Sequence, residues 1–288
     1  MDNRHSKKLE SKQSDREAVA GTAKTTLQYK YLSAAPSFWQ KTGRGNRKTA
    51  LFHNECADNL LSSKEKAPRA SSEFIFLAVR ERWINKVFHH YIKNKGCQQV
   101  VILGSGFDIR PLKKSKHFQK DKKNAAIYAQ VKFWEIDQES VLTEKERIFK
   151  ENNLDKNATY LKADYTKDDF CEMLSNAGFD SKLSTLVIWE GNLTYLNEQE
   201  ITDVIAKLQA LIADFVIVFD YHTQDFISGV EISVFKSGID DISKFAEKHN
   251  LKMIDNRNVG ELEKEYDVDD KPTDQASAYY VCSATKKR

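Results

Sequence analysis

Short apolar runs alternate with amphipathic stretches along residues 96–220. Five runs, at 99–103, 131–137, 159–164, 184–190 and 214–220, are rich in β-branched and aromatic residues and end in turn formers. Such runs predict buried strands. The stretches 139–152, 167–177 and 197–212 carry helical periodicity instead. Asn197 with Glu200 three residues later reads as a capping box opening the last of them. Ahead of the first strand a helix is predicted from Ser71 or Ser72 to about Lys95. Phe74, Leu77, Ile84, Phe88 and Tyr91 line one face, Val87 and Ile92 widen it, and Gly96 supplies the C′ residue. A further helix is expected at 239–249, then two strands, 251–259 and 277–285, joined by an acidic loop and pairing as a hairpin on the sheet edge. Strands alternating with helices make βαβ units, so the expected fold is α/β: Rossmann-like, with a mostly parallel seven-stranded sheet flanked by helices.

The N-terminal part follows another pattern. Residues 1–20 are charged and nearly free of large apolar groups, as in a disordered tail. From residue 21 the chain is mixed, with Leu27, Tyr29, Tyr31, Leu32, Phe38 and Trp39 in a helix-like scatter broken by Pro36. Residues 21–95 are expected to form a helical lid whose aromatics line the substrate pocket or pack on the sheet, in one compact unit with a domain at 96–288. A formal charge of +3 over 288 residues, with no basic block from residue 30 onward, argues against a nucleic-acid partner. No apolar run approaches the ~20 residues of a membrane span, and no signal-peptide core opens the chain. The four cysteines, at 56, 97, 171 and 282, are too far apart for a CxxC metal site. Free thiols, a cytoplasmic setting, no metal and a monomer are expected.

The candidate chemistry sits at strand ends. The first strand stops at Gly104-Ser105-Gly106, where a bare backbone lets a ligand approach, so a small molecule is expected above Gly104 and Gly106. A nicotinamide fingerprint would want a third glycine where Ile109 stands, and an acid about 20 positions on. The next four strands each end in a carboxylate: Asp137, Asp164, Glu190 and Asp220. Any one could merely cap a helix. Four in register form a rim suited to ribose hydroxyls, an adenine amino group and an ammonium group, all of which S-adenosylmethionine carries. No GxxxxGK[ST] cradle for a nucleoside triphosphate is present.

The segments LAVRERWINKVF, VVILGSGFDIRPL, FWEIDQESVLTEKERIF, LKADY, STLVIWEGNLTYLNEQEI and YYVCSAT resemble, in order, the leucine carboxyl methyltransferase family of class I S-adenosylmethionine-dependent methyltransferases. The resemblance implies residue roles. Arg80 would hold the cofactor's methionine carboxylate, as an arginine fork does well. Gly104, with Ser105 and Gly106, would form the turn under the methionyl portion. Asp137, with Gln138 beside it, would take the ribose hydroxyls, Asp164 and Tyr165 the adenine, and Glu190 would lie near the ammonium. Lys30, with Lys24 as rival, matches a lysine that helps bind carboxylates, and Tyr195 a tyrosine facing the substrate. Members acting on the C-terminus of protein phosphatase 2A carry Ile-Asn-Arg-Gly before the arginine helix; here residues 67–73 read APRASSE.

The implied function is O-methyl transfer from S-adenosyl-L-methionine to a carboxylate of a small molecule or peptide C-terminus. A carboxylate is ionised at pH 7 and needs no general base, which suits a chain without a Ser-His-Asp or Cys-His pattern. An alcohol or phenol acceptor would want one, and His222 would be the candidate if it is not simply a packed strand-end residue. Two other readings stand: a tRNA-base-modifying enzyme of the family's wybutosine branch, and a cofactor-binding module without turnover.

Overall fold

A computed structural model describes residues 75–114, 122–151, 153–230, 234–266 and 273–287. The expected tail, most of the expected lid, and Lys24 and Lys30 with it, lie outside the described residues.

The helix α1, Ile75–Asn94, contains no glycine or proline along its 20 residues. It ends at Gly96, whose φ of +67° takes the left-handed conformation, while the Cys97 N–H reaches back to Tyr91 O and closes the last turn. Strand β1, Gln99–Leu103, follows, then a 3-10 turn at Arg110–Lys114 and α2, Lys122–Ala129. The βα alternation continues through β2 (Lys132–Asp137), α3 (Glu139–Glu151), β3 (Thr159–Lys162), α4 (Phe170–Asn176), β4 (Thr185–Trp189), a second 3-10 turn (Leu193–Tyr195) and α5 (Glu198–Leu211). The capping box is formed: Asn197 Oδ1 accepts from Glu200 N, and Glu200 Oε2 from Asn197 N. The second half comprises β5 (Phe215–His222), α6 (Gln224–Gly229), α7 (Ile242–Lys248), β6 (Leu251–Asn258), α8 (Val259–Glu265), α9 (Asp274–Ser277) and β7 (Tyr279–Lys286).

The seven strands form one sheet in the order β3-β2-β1-β4-β5-β7-β6. Pairs among β1 to β5 are parallel, and β7 is antiparallel to both β5 and β6. The expected C-terminal hairpin lies on the sheet edge, with β7 inside against β5 and β6 outermost. Its connection holds the helices α8 and α9 rather than an acidic loop alone. Strand β5 runs two residues past Asp220 because Tyr280 and Tyr279 continue the ladder opposite Tyr221 and His222. Helix α4 starts three residues later than expected. The Lys167 and Asp168 N–H groups turn back to Asp164 O, and Asp169 caps the helix by accepting from Glu172 N.

Alternate residues of the strands feed two cores, one on each face. One gathers Val101, Trp134, Val187, Trp189 and Phe219 with α4, α5 and α7. The other gathers Val100, Ile102, Phe133, Ile188 and Val218 with α1, α2 and α8. Phe88, on α1, is fully buried; truncating such a ring costs about 3–5 kcal/mol. Cys97 and Cys282 are buried free thiols and Cys171 is half-buried. No helix among the described residues is long and apolar enough to cross a membrane.

Candidate functional site

The strand order reverses between β1 and β4, the place where open α/β sheets bind ligands beyond their carboxyl ends. Gly104 stands there with φ +58°. The space a side chain would take is filled by Asn192, whose Oδ1 would lie 2.1 Å from a Cβ on Gly104. Asn192 Nδ2 donates to Glu190 O at 2.7 Å, Gly104 O at 3.2 Å and Leu103 O at 3.3 Å. The bare backbone at Gly104 thus admits a side chain that ties the ends of β1 and β4 together. Gly106 points its N–H at Asp137 Oδ2 at 2.7 Å, and Gln138 N donates to the other oxygen at 2.7 Å. Burial pushes the Asp137 carboxyl upward while these two N–H groups oppose it.

The neighbouring strand ends carry the expected acids. Asp164 accepts from Thr166 Oγ1 at 2.6 Å and from Lys167. Burial works against its charge, but Lys167 and Thr166 outweigh that and hold it below the ordinary carboxylate value. Tyr165 is buried, accepts from Trp189 Nε1 at 3.3 Å and donates to Asn192 Oδ1 at 3.3 Å. The sheet order therefore lines up Asp164, Asp137, the glycine turn, Glu190 and Asp220 along one rim.

Arg80 reaches this rim from α1. Its Nη2 lies 3.0 Å from Glu190 Oε1, and its Nη1 donates to Tyr279 OH at 2.8 Å and Asp220 Oδ2 at 3.4 Å. Asp220 also accepts from Gly191 N at 2.6 Å and from Tyr279. Burial works against the guanidinium's charge, yet Tyr279, Asp220 and Glu190 together hold its pKa well above the ordinary value. A second arginine, Arg110, donates to Glu190 Oε2 at 2.7 Å, to Asn85 Oδ1 at 2.9 Å and to Asp108. Arg80 is fully committed on Nη1, but its buried Nε–H has no hydrogen-bond partner. Nε and Nη2 share the guanidinium edge that takes a carboxylate side-on.

Sequence reasoning passed over Asp108, Arg110, Asn192 and Tyr279, and noted Asp220 only as a strand end. All four lie inside the quoted segments: Asp108 and Arg110 in VVILGSGFDIRPL, Asn192 in STLVIWEGNLTYLNEQEI and Tyr279 in YYVCSAT. Tyr195 lies on the second 3-10 turn, edge-on to Phe235 at 5.6 Å. His222 is buried at the end of β5. Burial, aided by the Arg80 charge, lowers its pKa to about 3, which makes it a poor general base. Among the described residues, no group of three or more His, Cys, Asp or Glu is placed to hold a metal ion.

The model of the leucine carboxyl methyltransferase family matches residues 20–209. The chain belongs to the leucine carboxyl methyltransferase family. Membership runs from the N-terminal segment into α5 and takes in Arg80, the glycine turn, Asp137, Asp164 and Glu190. A curated relative in Mycobacteroides abscessus, described as a candidate S-adenosyl-L-methionine-dependent methyltransferase, is 29% identical over 136 residues, 47% of this chain. The match spans 40% of that relative's length. Among solved structures, a DUF574 family protein from Streptomyces avermitilis superposes with a TM-score of 0.55 at 15% identity, covering 81% of this chain and 90% of that one. A candidate methyltransferase from Thermobifida fusca gives 0.53 at 13% identity, covering 91% and 94%. These likenesses concern the fold, which is the mostly parallel seven-stranded class I methyltransferase arrangement, with its antiparallel strand pair at the C-terminal end.

Proposed function

We propose that this family member is an S-adenosyl-L-methionine-dependent O-methyltransferase whose acceptor is a carboxylate of a small molecule or a peptide C-terminus. The observation that carries the reading is Arg80, a buried guanidinium at the sheet's switch point with an unpartnered Nε–H. It stands on the same rim as Asp137, which is hydrogen-bonded by the glycine turn yet partly exposed. One basic edge and one acidic group in that arrangement suit an amino-acid carboxylate and a ribose diol.

The residues fit the cofactor as follows. The Arg80 Nε–Nη2 edge would hold the methionine carboxylate, Glu190 the neighbourhood of the ammonium, Asp137 with Gln138 the ribose, and Asp164 with Tyr165 the adenine. Lys30 of the N-terminal segment would add a second cation. When bound, the cofactor supplies a methyl group on a positively charged sulfur, activated for in-line displacement. Asn192, by bracing Gly104 to Glu190, keeps the floor of the site rigid, and alignment of this kind is worth several orders of magnitude in rate. An ionised carboxylate needs no proton removed, which agrees with the poor basicity of His222.

Calorimetric titration with S-adenosyl-L-methionine, followed by incubation of the protein with methyl-labelled cofactor and a cell extract, tests the reading. The expected outcome is saturable binding and a base-labile labelled product. Absence of binding at millimolar cofactor overturns the enzyme reading, and a base-stable product overturns the ester.

A further inference from the structure

The carboxyl end of β5 carries a row of stacked rings beyond the strand-end acids. His222 lies over Tyr279, with centroids 4.2 Å apart and planes 27° from parallel. It stacks also on Phe226 at 5.0 Å and on Phe235 at 5.6 Å. Phe235 in turn meets Tyr195. Tyr195, Phe226 and Phe235 are half-buried, whereas His222 and Tyr279 are buried beneath them. The row therefore joins the 3-10 turn after Glu190 to Tyr279, whose hydroxyl accepts from Arg80. Side chains alternate along a strand, so His222 shares the face of Asp220 and stands one step nearer the strand's end. This half of the sheet lies beyond residues 20–209, the span of the family match.

The state of His222 follows from its surroundings. Burial and Arg80 keep the ring neutral, with one proton for two nitrogens. Its Nε2 is 3.3 Å from the amide nitrogen Nε2 of Gln275. With Gln275 Nε2 as the donor, since an amide nitrogen only donates, His222 Nε2 would accept and the proton would fall to Nδ1. That Nδ1–H is buried and has no hydrogen-bond partner. A buried donor left unpaired is costly enough that native structures almost always satisfy it.

We infer that this aromatic row is the acceptor subsite, that its acceptor is a planar aryl carboxylate, and that His222 Nδ1–H donates to one carboxylate oxygen there. The inference rests on the methyl-transfer reading above and names the substrate class of the same site. Flat rings, three of them only half-buried, favour a flat unsaturated partner over a saturated one of equal size. A fixed N–H donor suits an oxygen that only accepts. A phenol or alcohol would bring its own proton and find no competent base at this position.

Benzoate and cyclohexanecarboxylate, acids of similar size and different shape, are the probes, titrated against the full chain by ligand-observed NMR. Benzoate is expected to bind about fivefold more tightly than the saturated acid. His222→Phe, which keeps the ring and removes the donor, should weaken benzoate about tenfold or more. His222→Asn, whose amide nitrogen stands near the place of Nδ1, should restore most of the loss. Nitrogen-15 spectra of the wild-type histidines should show His222 protonated on Nδ1. Equal binding of the two acids, benzoate affinity indifferent to His222→Phe, or a proton on Nε2 would each overturn the inference. The tautomer measurement needs no variant, so it decides even where a substitution unfolds the chain. Cofactor titration is read separately: wild-type protein that binds benzoate as expected but no S-adenosyl-L-methionine would sink the methyl-transfer reading and leave the aromatic subsite standing.

Discussion

Asn192 occupies the space that Gly104 leaves open: its Nδ2 donates to Gly104 O at 3.2 Å, and its Oδ1 would stand 2.1 Å from any Cβ at residue 104. Two separate costs therefore fall on Gly104→Ala, the left-handed backbone at φ +58° and the clash. The backbone term alone is roughly 1–2 kcal/mol. Chemical denaturation should show Gly104→Ala losing more than that, and losing less when introduced into Asn192→Ala. A double-mutant cycle with no coupling would mean that the two residues do not compete for this space.

Arg80 is paired on three sides, to Glu190, Asp220 and Tyr279. Removing one partner of a buried ion pair typically costs about 3–5 kcal/mol because the other charges stay buried. Arg80→Ala should lower stability by that order in urea unfolding. Arg80→Lys keeps the charge but not the planar fork, so it should fold better than the alanine variant and still bind S-adenosyl-L-methionine about tenfold or more weakly by calorimetry.

Asp137 should separate binding from folding. It is half-buried, and its donors are the backbone N–H groups of Gly106 and Gln138. Hydrogen bonds to a charged group are worth about 1.5–3 kcal/mol. Asp137→Asn should weaken cofactor binding by roughly ten- to a hundredfold with a small change in melting temperature. Unchanged affinity would mean the ribose is held elsewhere.

Glu135 and Lys145 form a pair far from solvent, 2.5 Å apart and both buried. Burial pushes the Glu135 carboxyl upward, with Lys145 opposing it. Lys145→Met alone should cost about 3–5 kcal/mol, whereas Glu135→Leu with Lys145→Met should be close to neutral or stabilising. Thermal unfolding of the single and double variants at one pH checks this. A double variant as weak as the single one would show that the pair itself supports the fold.

His222 predicts a pH signature. Its folded pKa, about 3, lies below its ordinary value of 6.5, so between those values the unfolded chain binds the extra proton and stability falls as pH falls. The loss accrues at up to ~1.4 kcal/mol per pH unit. Above pH 6.5 it vanishes. His222→Phe should remove this component, so its stability relative to wild type should rise as pH drops from 6.5 to about 4 in parallel denaturation curves. A difference that is flat with pH would show that the imidazole is not buried in the neutral state.

Local physics made much of the molecule legible in the sequence. The apolar runs ending in Asp137 and Glu190 became strands at nearly the expected bounds, because burial on both faces demands continuous apolar character. Asn197 and Glu200 closed their capping box because its two hydrogen bonds span only three residues. The βα alternation carried the parallel sheet with it. Tertiary structure decided the rest. Helix α2, which has a weak apolar face, is held against α1 by Tyr128 stacking on Phe88, a contact no local pattern announces. The insertion of β7 between β5 and β6 is a pairing across the sheet that local periodicity does not specify. The Arg80 cluster joins residues 140 and 199 positions apart, and Asn192 fills Gly104 from 88 positions away. A sequence shows which groups can form such contacts. Only the folded sheet, by bringing five strand ends and one helix to a single rim, determines which of them meet.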